Sequence, residues 1–341
     1  MKEIGSEFWN IPTQSEENQI FPSSTQYYLA GRCALQAIIK ELKNVHTVAM
    51  PSWCCDSMVK PFVDAGIEVH FYPVYFDNGL VQEIDKFCDA LFLMDYFGYK
   101  TSAPDLADYH GTVIRDVTHS IFSATYSDAD YYFGSLRKWC GVWTGGYAWA
   151  SDFHKLPLDD NDDRGYIGLR QQAMEQKARY IRGLTDPKTG KEPDKSYLLF
   201  FEKAEELLEH IGTAPAAFRD IEAAKYLNTE KLKATRRQNS RILMDAFQDW
   251  LIFSSLGEED CPMFVPVLVP DGKRNALRRF LIQQMIYCPV HWPVSEYHRL
   301  DERERYIYEN ELSLVCDQRY TEEDMHRVVD TIRLFIGESK C

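Results

Sequence analysis

Short apolar runs alternate with helix-compatible segments throughout the first half of the chain, and this alternation constrains the fold more than any other feature. The runs have the length and apolarity of strands buried on both faces, and they occupy residues 45–50, 68–72, 90–95, 112–116, 131–135 and 147–150. One predicted helix, at 31–42, precedes the first run, and another, at 56–65, lies between the first two runs and ends before Gly66, as helices often do. The pattern predicts an α/β fold with a mostly parallel central sheet and helices on both faces.

The second half of the chain has a different sequence pattern. An Asp-rich polar stretch at 151–164 precedes predicted helices at 171–182, 196–211 and 229–250, strands at 263–269 and 312–315, and helices at 274–284 and 321–336. The last helix starts with Thr321-x-x-Asp, the pattern of a capping box. We therefore predict a large domain at 1–225, with an N-terminal arm at 1–27, and a small C-terminal α+β domain at 226–341.

Composition excludes several classes of partner. The 341 residues include 38 Lys and Arg against 52 Asp and Glu, and the net charge of −14 argues against nucleic-acid binding, which needs a basic face. No apolar run approaches the roughly 20 residues of a membrane helix, and the N-terminus lacks the pattern of a signal peptide. We expect a soluble, cytoplasmic protein without a membrane partner, and 45% apolar residues give it a large core.

The cysteines do not have the spacing of a disulfide framework. There are nine, an odd number, spread over the whole chain. Cys288 and His291 have the gap of a zinc-ligand pair, but no second close pair completes a tetrahedral set. We expect reduced thiols and no metal site.

The segment 113–149 contains the candidate catalytic residues. Asp116 ends one predicted strand and Lys138 follows a later one, so in a parallel α/β sheet both would reach the ligand-binding edge. Pyridoxal phosphate chemistry needs such a pair, because a lysine forms the Schiff base and a buried carboxylate keeps the pyridine nitrogen protonated. Solvated or capping residues near strand ends look the same, so the surrounding motifs must decide between these interpretations.

These motifs resemble those of fold-type I pyridoxal-phosphate enzymes, most of all the DegT/DnrJ/StrS-type sugar aminotransferases. In that family a strand ends in an acid-Asp-x-x-Gln/His pattern, which Asp116-Val-Thr-His119 matches with Arg115 in place of the acid. The resemblance implies that Asp116 pairs with the pyridine nitrogen and that His119 lies against the ring or its phenolic oxygen. It also implies the fold of these enzymes and pyridoxal 5'-phosphate as the cofactor.

Ser135-Leu-Arg-Lys138, followed by Gly145-Gly146, resembles the Schiff-base segment of the same enzymes. Lys138 is the only lysine between Lys100 and Lys155, and the resemblance makes it the Schiff-base residue. Ser135 would contact the cofactor phosphate, although DegT-type proteins usually carry this serine farther upstream of the lysine.

Gly31-Arg32-Cys33-Ala-Leu resembles the family's Gly-Thr/Ser-x-Ala-Leu segment at the start of the first large-domain helix. Free backbone N–H groups at a helix N-terminus suit a phosphate dianion. We therefore predict that Gly31, Arg32 and Cys33 bind the cofactor, with Arg32 replacing the usual hydroxyl residue and adding a charged contact.

Two further segments resemble parts of the family's pocket. The stretch from Pro51 to Gly66 resembles the one that supplies an aromatic ring over the cofactor. Trp53 is the predicted stacking residue and Cys55 the alternative, while a Trp in a turn is more often part of the core. Asp95-Tyr96-Phe-Gly resembles a His-x-Tyr-Gly segment, and Tyr96 is a candidate substrate contact.

The predicted small domain has two segments of unusual polar and aromatic density. In enzymes of this fold the small domain closes over the substrate, so His291, Trp292 and Arg319 are candidate substrate contacts. Turn residues and surface ion pairs would show the same pattern, and both interpretations stay open.

The resemblance implies an aminotransferase in which Lys138 holds the cofactor as an internal aldimine. An amino acid such as glutamate would donate the amino group to a nucleotide-linked keto-sugar. The resemblance also implies a homodimer with active sites at the subunit interface, where the loop 183–195 would serve the neighbouring site. Basic residues at 164–182 would offset the acidic surface near an anionic substrate.

Two alternatives stay open. One is a catalytically altered protein of this fold with a binding or regulatory role. The other is a different pyridoxal-phosphate reaction, such as dehydration or desulfuration. The retained Lys138 disfavours dehydration, because the dehydratase relatives typically replace this lysine with histidine.

Overall fold

The computed structural model describes residues 3–84, 86–101, 104–123, 128–159, 162–184 and 194–337. Within them the helices are α1 (Gly31–Glu41), α2 (Asp56–Asp64), α3 (Tyr166–Arg182), α4 (Tyr197–Leu208), α5 (Phe218–Lys225), α6 (Thr229–Ala246), α7 (Arg274–Gln283), α8 (Glu302–Asn310) and α9 (Glu322–Ile336). In this part of the chain no helix is both long and apolar enough to cross a membrane.

The strands of the described residues are β1 (Ile4–Gly5), β2 (Gln26–Tyr28), β3 (Thr47–Pro51), β4 (Glu68–Tyr72), β5 (Val74–Phe76), β6 (Leu80–Gln82), β7 (Ala90–Met94), β8 (Thr112–Asp116), β9 (Tyr131–Ser135), β10 (Gly146–Ala150), β11 (Val265–Leu268), β12 (Ile286–Tyr287) and β13 (Glu311–Leu314). Among them, seven form a mixed central sheet.

The chain forms two compact units, each assembled from separate segments. The first unit comprises Met1–Ser6, Asn44–Ala129 and Thr229–Cys341, and the second comprises Glu7–Lys43 and Asp130–Asn228. The domain boundary expected at 225/226 stays a prediction. It falls three residues before the last passage of the chain from the second unit into the first.

The first unit contains the parallel strands β8, β7, β3 and β4, in that spatial order. β7 is an unbroken apolar run that is buried at all five positions, as expected of a strand covered on both faces. β4, at the end of the order, alternates between exposed and more buried residues. In β7 and β8 the pair Met94–Asp116 is in register, which places the Asp116 backbone at the end of both strands.

The C-terminal part of the first unit is a small α+β arrangement. β11 pairs with β13 in antiparallel orientation, and β1 pairs with β12 in parallel orientation. α6 and α7 pack against α9, and α7 also contacts β12 and β13. The capping box predicted for the last helix is present, because Thr321 and Asp324 each accept a hydrogen bond from the other's backbone N–H.

The second unit contains β10, which pairs in antiparallel orientation with both β2 and β9. α1 packs against β9 and β10, and α3 packs against α4. A single 3₁₀ turn, Leu136–Lys138, follows β9 directly. The loop between β9 and β10 is too short for the crossover that a parallel neighbour would need.

The predicted fold class is confirmed. The structure is an α/β fold with a seven-stranded mixed sheet. The strands predicted in the first half are all present, with ends shifted by at most two residues.

Candidate active site

Asp116 lies at the carboxyl end of β8 and is only 1% exposed. Its Oδ1 atom accepts a hydrogen bond from the Thr118 backbone N–H at 2.8 Å, which closes a tight turn after the strand. This turn carries His119, whose side chain is fully buried. The two predicted residues of the Asp-x-x-His pattern therefore leave the same strand end through one hydrogen-bonded turn.

His119 is oriented by a backbone group. Its Nδ1 atom accepts a hydrogen bond from the Phe97 N–H at 3.2 Å. In a neutral imidazole the other nitrogen, Nε2, then carries the proton and acts as a donor. The ring also lies nearly parallel to the Trp292 indole, with centroids 5.9 Å apart and an interplanar angle of 19°.

Six rings form one buried group in the first unit, which we term the aromatic cluster: Trp53, Tyr96, Phe97, His119, His291 and Trp292. Two hydrogen bonds fix it. Tyr96 Oη donates to the Trp53 carbonyl at 2.7 Å, and Trp53 Nε1 donates to the His291 carbonyl at 2.7 Å. The structure thus brings together five residues that the sequence singled out, from four separate segments.

The indole of Trp53 is fully buried and stacks on Tyr96, with ring centroids 5.0 Å apart. Cys55, the alternative stacking residue, is half-buried at the N-cap of α2, with its Sγ atom 2.8 Å from Ser57 Oγ. Which of the two lies over a cofactor ring stays a prediction.

Phe97 is a member of the cluster that sequence reasoning did not select. It has a positive φ of 54°, and the following Gly98 has a φ of 80°. A Cβ atom at Gly98 would lie 2.0 Å from the Cys261 carbonyl oxygen, so only glycine fits there. The sequence does carry a signal for Phe97: a glycine follows Tyr-Phe directly after a buried strand, which indicates a tight turn.

Asp95 and Arg115, which replace the histidine and the acid of the family's motifs, form an ion pair with each other. Arg115 Nη1 lies 2.7 Å from Asp95 Oδ1, and both side chains are 4% exposed. Arg115 also donates to Asp128 through Nε at 3.0 Å and Nη2 at 2.6 Å, while the Ser120 hydroxyl donates to Asp95. The ends of β7 and β8 are therefore held together by a buried, charge-assisted network.

The pKa shifts of this pair reflect burial and charge together. Burial raises the pKa of Asp95, and Arg115 opposes that shift. Burial alone would lower the pKa of Arg115, but Asp95 and Asp128 outweigh it and raise the value. The guanidinium therefore stays charged and compensates the carboxylates around it.

The second unit carries the residues predicted to bind a phosphate. α1 begins at Gly31, and the preceding Ala30 provides no side-chain cap for the first-turn N–H groups. A Cβ atom at Gly31 would lie 3.3 Å from Ser135 Cβ, so the start of α1 contacts the end of β9. Arg32 is half-buried, whereas Cys33 is fully buried and burial raises its pKa to about 11.

Lys138 is the last residue of the 3₁₀ turn after β9 and is half-buried. The turn is held by the Leu136 N–H, which donates to the Gly145 carbonyl at 2.8 Å. Within the described ranges, no hydrogen bond or ion pair engages the Lys138 ammonium group. Its neighbour Arg137, by contrast, is held by Glu205 and the Tyr166 hydroxyl.

Two sets of basic residues expected near a substrate have other contacts. Arg319 forms a bidentate ion pair with Asp317, at 2.8 and 2.7 Å, and donates to the Ser6 carbonyl at 3.1 Å. In the 164–182 segment, Arg170 and Lys177 are fully buried, and both interact with Glu7.

His291 is connected to two residues that sequence reasoning missed. Its Nδ1 atom lies 2.8 Å from Ser313 Oγ, and the Ser313 hydroxyl donates to Glu311 Oε1 at 2.5 Å. The His291 backbone N–H donates to Glu311 Oε2 at 2.7 Å. Two polar side chains in β13, which is buried at all four positions, were the available signal.

No protein-family model matches the sequence, and no curated protein is significantly similar to it. Solved structures do share its fold. PseC from Helicobacter pylori, an aminotransferase involved in the biosynthesis of pseudoaminic acid, superposes with a TM-score of 0.64 at 12% identity, covering 98% of this chain and 100% of that chain.

Two further structures give similar values. The PLP-form of Spr1654 from Streptococcus pneumoniae, which is described as a sugar aminotransferase, has a TM-score of 0.59 at 14% identity, covering 91% of this chain and 86% of that chain. A DegT DnrJ EryC1 StrS aminotransferase from Brucella abortus has a TM-score of 0.56 at 14% identity, covering 92% and 86%. At these identities the similarity establishes the fold alone. It is the fold of the pyridoxal-phosphate aminotransferases of fold type I.

Proposed function

We propose that the protein is a pyridoxal-phosphate-dependent aminotransferase that transfers an amino group from an amino acid such as glutamate to a nucleotide-linked keto-sugar. The observation that carries the proposal is the combination of this fold with a buried aspartate at the end of β8 and a lysine directly after β9. In open α/β sheets, ligands bind beyond the carboxyl ends of the strands.

The described residues fit the cofactor at three points. Asp116 is a buried carboxylate fixed by the turn to Thr118, as the partner of a pyridinium nitrogen needs to be. The α1 N-terminus lacks a side-chain cap and contacts Ser135, so N–H groups and a hydroxyl are available to a phosphate. Lys138 presents an ammonium group that no described residue engages.

When bound, pyridoxal phosphate would supply an aldehyde that takes up amino groups and a ring that accepts carbanion charge. Asp116 would hold the proton on the pyridine nitrogen, and His119 would lie against the ring, with Nε2 as its donor nitrogen in the neutral imidazole. Lys138 Nζ would attach the cofactor and then move the proton removed from the substrate Cα. Gly31, Arg32, Cys33 and Ser135 would bind the phosphate.

The choice of substrate is supported by the structures that share the fold. The Helicobacter and Streptococcus proteins are described as an aminotransferase of pseudoaminic acid biosynthesis and a sugar aminotransferase. We extend to this chain the keto-sugar as acceptor, glutamate as donor and the homodimer that the resemblance implies, and we propose that the protein acts in the cytoplasm. Tyr96, His291 and Trp292 stay proposed substrate contacts. Arg319 stays one only if the ligand displaces it from Asp317.

Desulfuration is disfavoured by the state of the buried thiols. Burial raises the pKa of Cys288 and of Cys316 to about 12 and holds that of Cys54 well above its usual range. A protonated thiol is a poor nucleophile, so these side chains do not suit attack on a substrate. Cys55, by contrast, is half-buried.

The proposal is tested by a half-reaction. The purified protein, loaded with pyridoxal phosphate, is mixed with L-glutamate, and both the loss of yellow colour and the 2-oxoglutarate formed are measured. We expect about one oxo acid per cofactor bound, because a transaminase retains the amino group. A yellow protein that forms no oxo acid from any common amino acid would indicate the binding role instead. A protein that stays colourless after pyridoxal phosphate is added would exclude every function that needs this cofactor, the aminotransferase included.

A further inference from the structure

Glu311, Ser313 and His291 form a continuous hydrogen-bonded chain inside the first unit. Glu311 and Ser313 are fully buried, and His291 is 8% exposed. The Glu311 Oε1 to Ser313 Oγ distance is 2.5 Å, and the Ser313 Oγ to His291 Nδ1 distance is 2.8 Å. The His291 N–H also donates to Glu311 Oε2, which fixes the carboxyl group at both oxygens.

The groups around these three hydrogen-bonded side chains are mostly uncharged. Arg274 donates through Nη1 to the Glu311 backbone carbonyl at 3.0 Å and is the positive charge that acts on the carboxyl group. The Cys288 thiol is also within electrostatic range of Glu311. Next to His291 are the rings of Phe97, Phe264 and Trp292, and the His119 ring, whose centroid is 6.0 Å away. His119 belongs to the candidate active site.

Two arrangements of the protons satisfy both hydrogen bonds between the side chains of Glu311, Ser313 and His291. If Glu311 is ionised, Ser313 donates to it, and the proton between Ser313 and the imidazole must belong to His291 Nδ1. If Glu311 is protonated, it donates to Ser313, which then donates to His291 Nδ1, and the ring proton lies on Nε2. The protonation state of Glu311 therefore selects the tautomer of His291.

We propose that Glu311, Ser313 and His291 are a proton relay that lets His291 Nε2 give a proton to, and take one from, the ligand of the candidate active site. This step rests on the proposed function, under which the ligand is the amino acceptor. Its C–O bond breaks as a C–N bond to the incoming amine forms, and the oxygen leaves as water. The amine brings one of the two protons of that water, and His291 Nε2 gives the other. His291 is then a catalytic residue, and Ser313 and Glu311 are positioning residues that act through it.

The relay balances its protons. His291 Nε2 releases one proton to the ligand oxygen, and Ser313 delivers its hydroxyl proton to Nδ1. Glu311 replaces the proton on Ser313 and becomes a carboxylate. The imidazole remains neutral throughout, and the reverse sequence recharges the relay when a proton is returned at Nε2.

The environment of Glu311 suits a proton store. Burial raises its pKa to about 8, although the hydrogen bonds from Ser313 and His291 and the charge of Arg274 act in the opposite direction. A carboxyl group with such a pKa exchanges its proton near neutral pH, whereas an exposed glutamate would be permanently ionised.

The test follows the ring nitrogens of His291 by ¹⁵N NMR in the cofactor-free protein, with the signal assigned by its loss in His291→Gln. We expect the Nε2–H tautomer at pH 6 and the Nδ1–H tautomer at pH 9.5. Glu311→Gln should hold the Nε2–H tautomer at both pH values, because its amide N–H₂ donates to Ser313 permanently. Ser313→Ala should abolish the pH response, and the exposed Glu309→Gln should preserve it. A wild-type tautomer that does not change with pH, or that changes equally in Ser313→Ala, would overturn the relay.

A kinetic measurement adds the catalytic part. In the reaction with an amino acceptor, Glu311→Gln and Ser313→Ala should lower kcat roughly 10²-fold with KM within about twofold, because general acid–base catalysis typically contributes that much. A change in KM alone would assign His291 to binding and contradict the relay's catalytic role. The NMR readout needs no cofactor, so a switching tautomer in a colourless protein would retain the proton chain while rejecting the aminotransferase proposal.

Discussion

The ends of β8 and β9 carry the two residues on which the functional proposal depends, and the structure treats them differently. At the end of β8, in the first unit, Asp116 and His119 are buried and hydrogen-bonded, and the His119 ring packs against the Trp292 indole and the Phe97 phenyl ring. At the end of β9, in the second unit, Lys138 is half-buried, and its ammonium group is engaged by no described residue.

This difference matches the work expected of each group. A residue that fixes the protonation of a cofactor ring benefits from rigid placement, because misorientation weakens its contribution. A residue that forms and breaks a covalent bond and also carries a proton must move between positions, so a strong ion pair would hinder it. The comparison predicts that breaking the buried ion pair of Arg115 and Asp95 mainly lowers stability, whereas replacing Lys138 mainly lowers activity.

Lys138→Ala should give the largest effect on catalysis. We expect the rate of amino transfer to fall by about 10²–10⁴-fold, because the variant lacks the group that moves the proton. The free energy of unfolding should change by less than about 0.5 kcal/mol, since no described partner is lost. Stopped-flow rates and urea denaturation measure the two quantities, with the exposed Lys155→Ala as the matched control. A loss of several kcal/mol in stability would break the comparison.

Arg115→Ala should give the largest effect on stability. It leaves Asp95 buried without its positive partner, which typically costs about 3–5 kcal/mol. Replacing the exposed Arg303, which pairs with Asp301 and Glu83, by alanine should lower the free energy of unfolding by less than about 1 kcal/mol. Chemical denaturation compares the two variants. Adding Asp95→Asn to Arg115→Ala should recover part of the loss, and an additive further loss would contradict the ion-pair account.

Ser135→Ala should weaken cofactor binding without affecting the fold. A hydrogen bond to a charged group contributes about 1.5–3 kcal/mol, so the dissociation constant for pyridoxal phosphate should rise roughly 10- to 100-fold. Equilibrium titration followed by absorbance measures it, with the exposed Ser151→Ala as control. An unchanged dissociation constant would remove Ser135 from the phosphate site.

The raised pKa of Glu311 should make the stability of the protein depend on pH. Its pKa in the folded protein is raised to about 8 from an ordinary 4.5, so between these values the folded state binds more protons than the unfolded state. Stability from this group is therefore complete below about pH 4.5 and decreases as the pH rises towards 8, by at most about 1.4 kcal/mol per pH unit. Glu311→Gln should lack this slope when urea denaturation is repeated across the range, and an identical slope would contradict the assignment.

Much of the fold followed from local sequence patterns. The unbroken apolar run of β7 and the helix stop at Gly66 are visible in the residues themselves. The antiparallel direction of β10 was not predicted, because it depends on the short connection from β9 and not on the strand's own composition. α8 was also missed, since its sequence, ERERYIYEN, is mostly charged and only its inner face is buried.

The candidate site was predictable only where one segment carries the signal. Asp116-x-x-His119 and Lys138 stand next to strand ends and could be found by motif. The pairing of Arg115 with Asp95 required knowing that β7 and β8 are neighbours in register. Glu311 and Ser313 are more than 19 residues from His291, and only the folded chain shows that their polar atoms meet.

The central claim is that Lys138 holds the cofactor, and borohydride reduction tests it most directly. The protein is incubated with pyridoxal phosphate, reduced, digested and analysed by peptide mass spectrometry. We predict that the added pyridoxyl phosphate mass lies on Lys138 and is absent from Lys155 at a stoichiometric level. Modification of another lysine, or no stoichiometric modification of a protein that remains folded, would contradict the account.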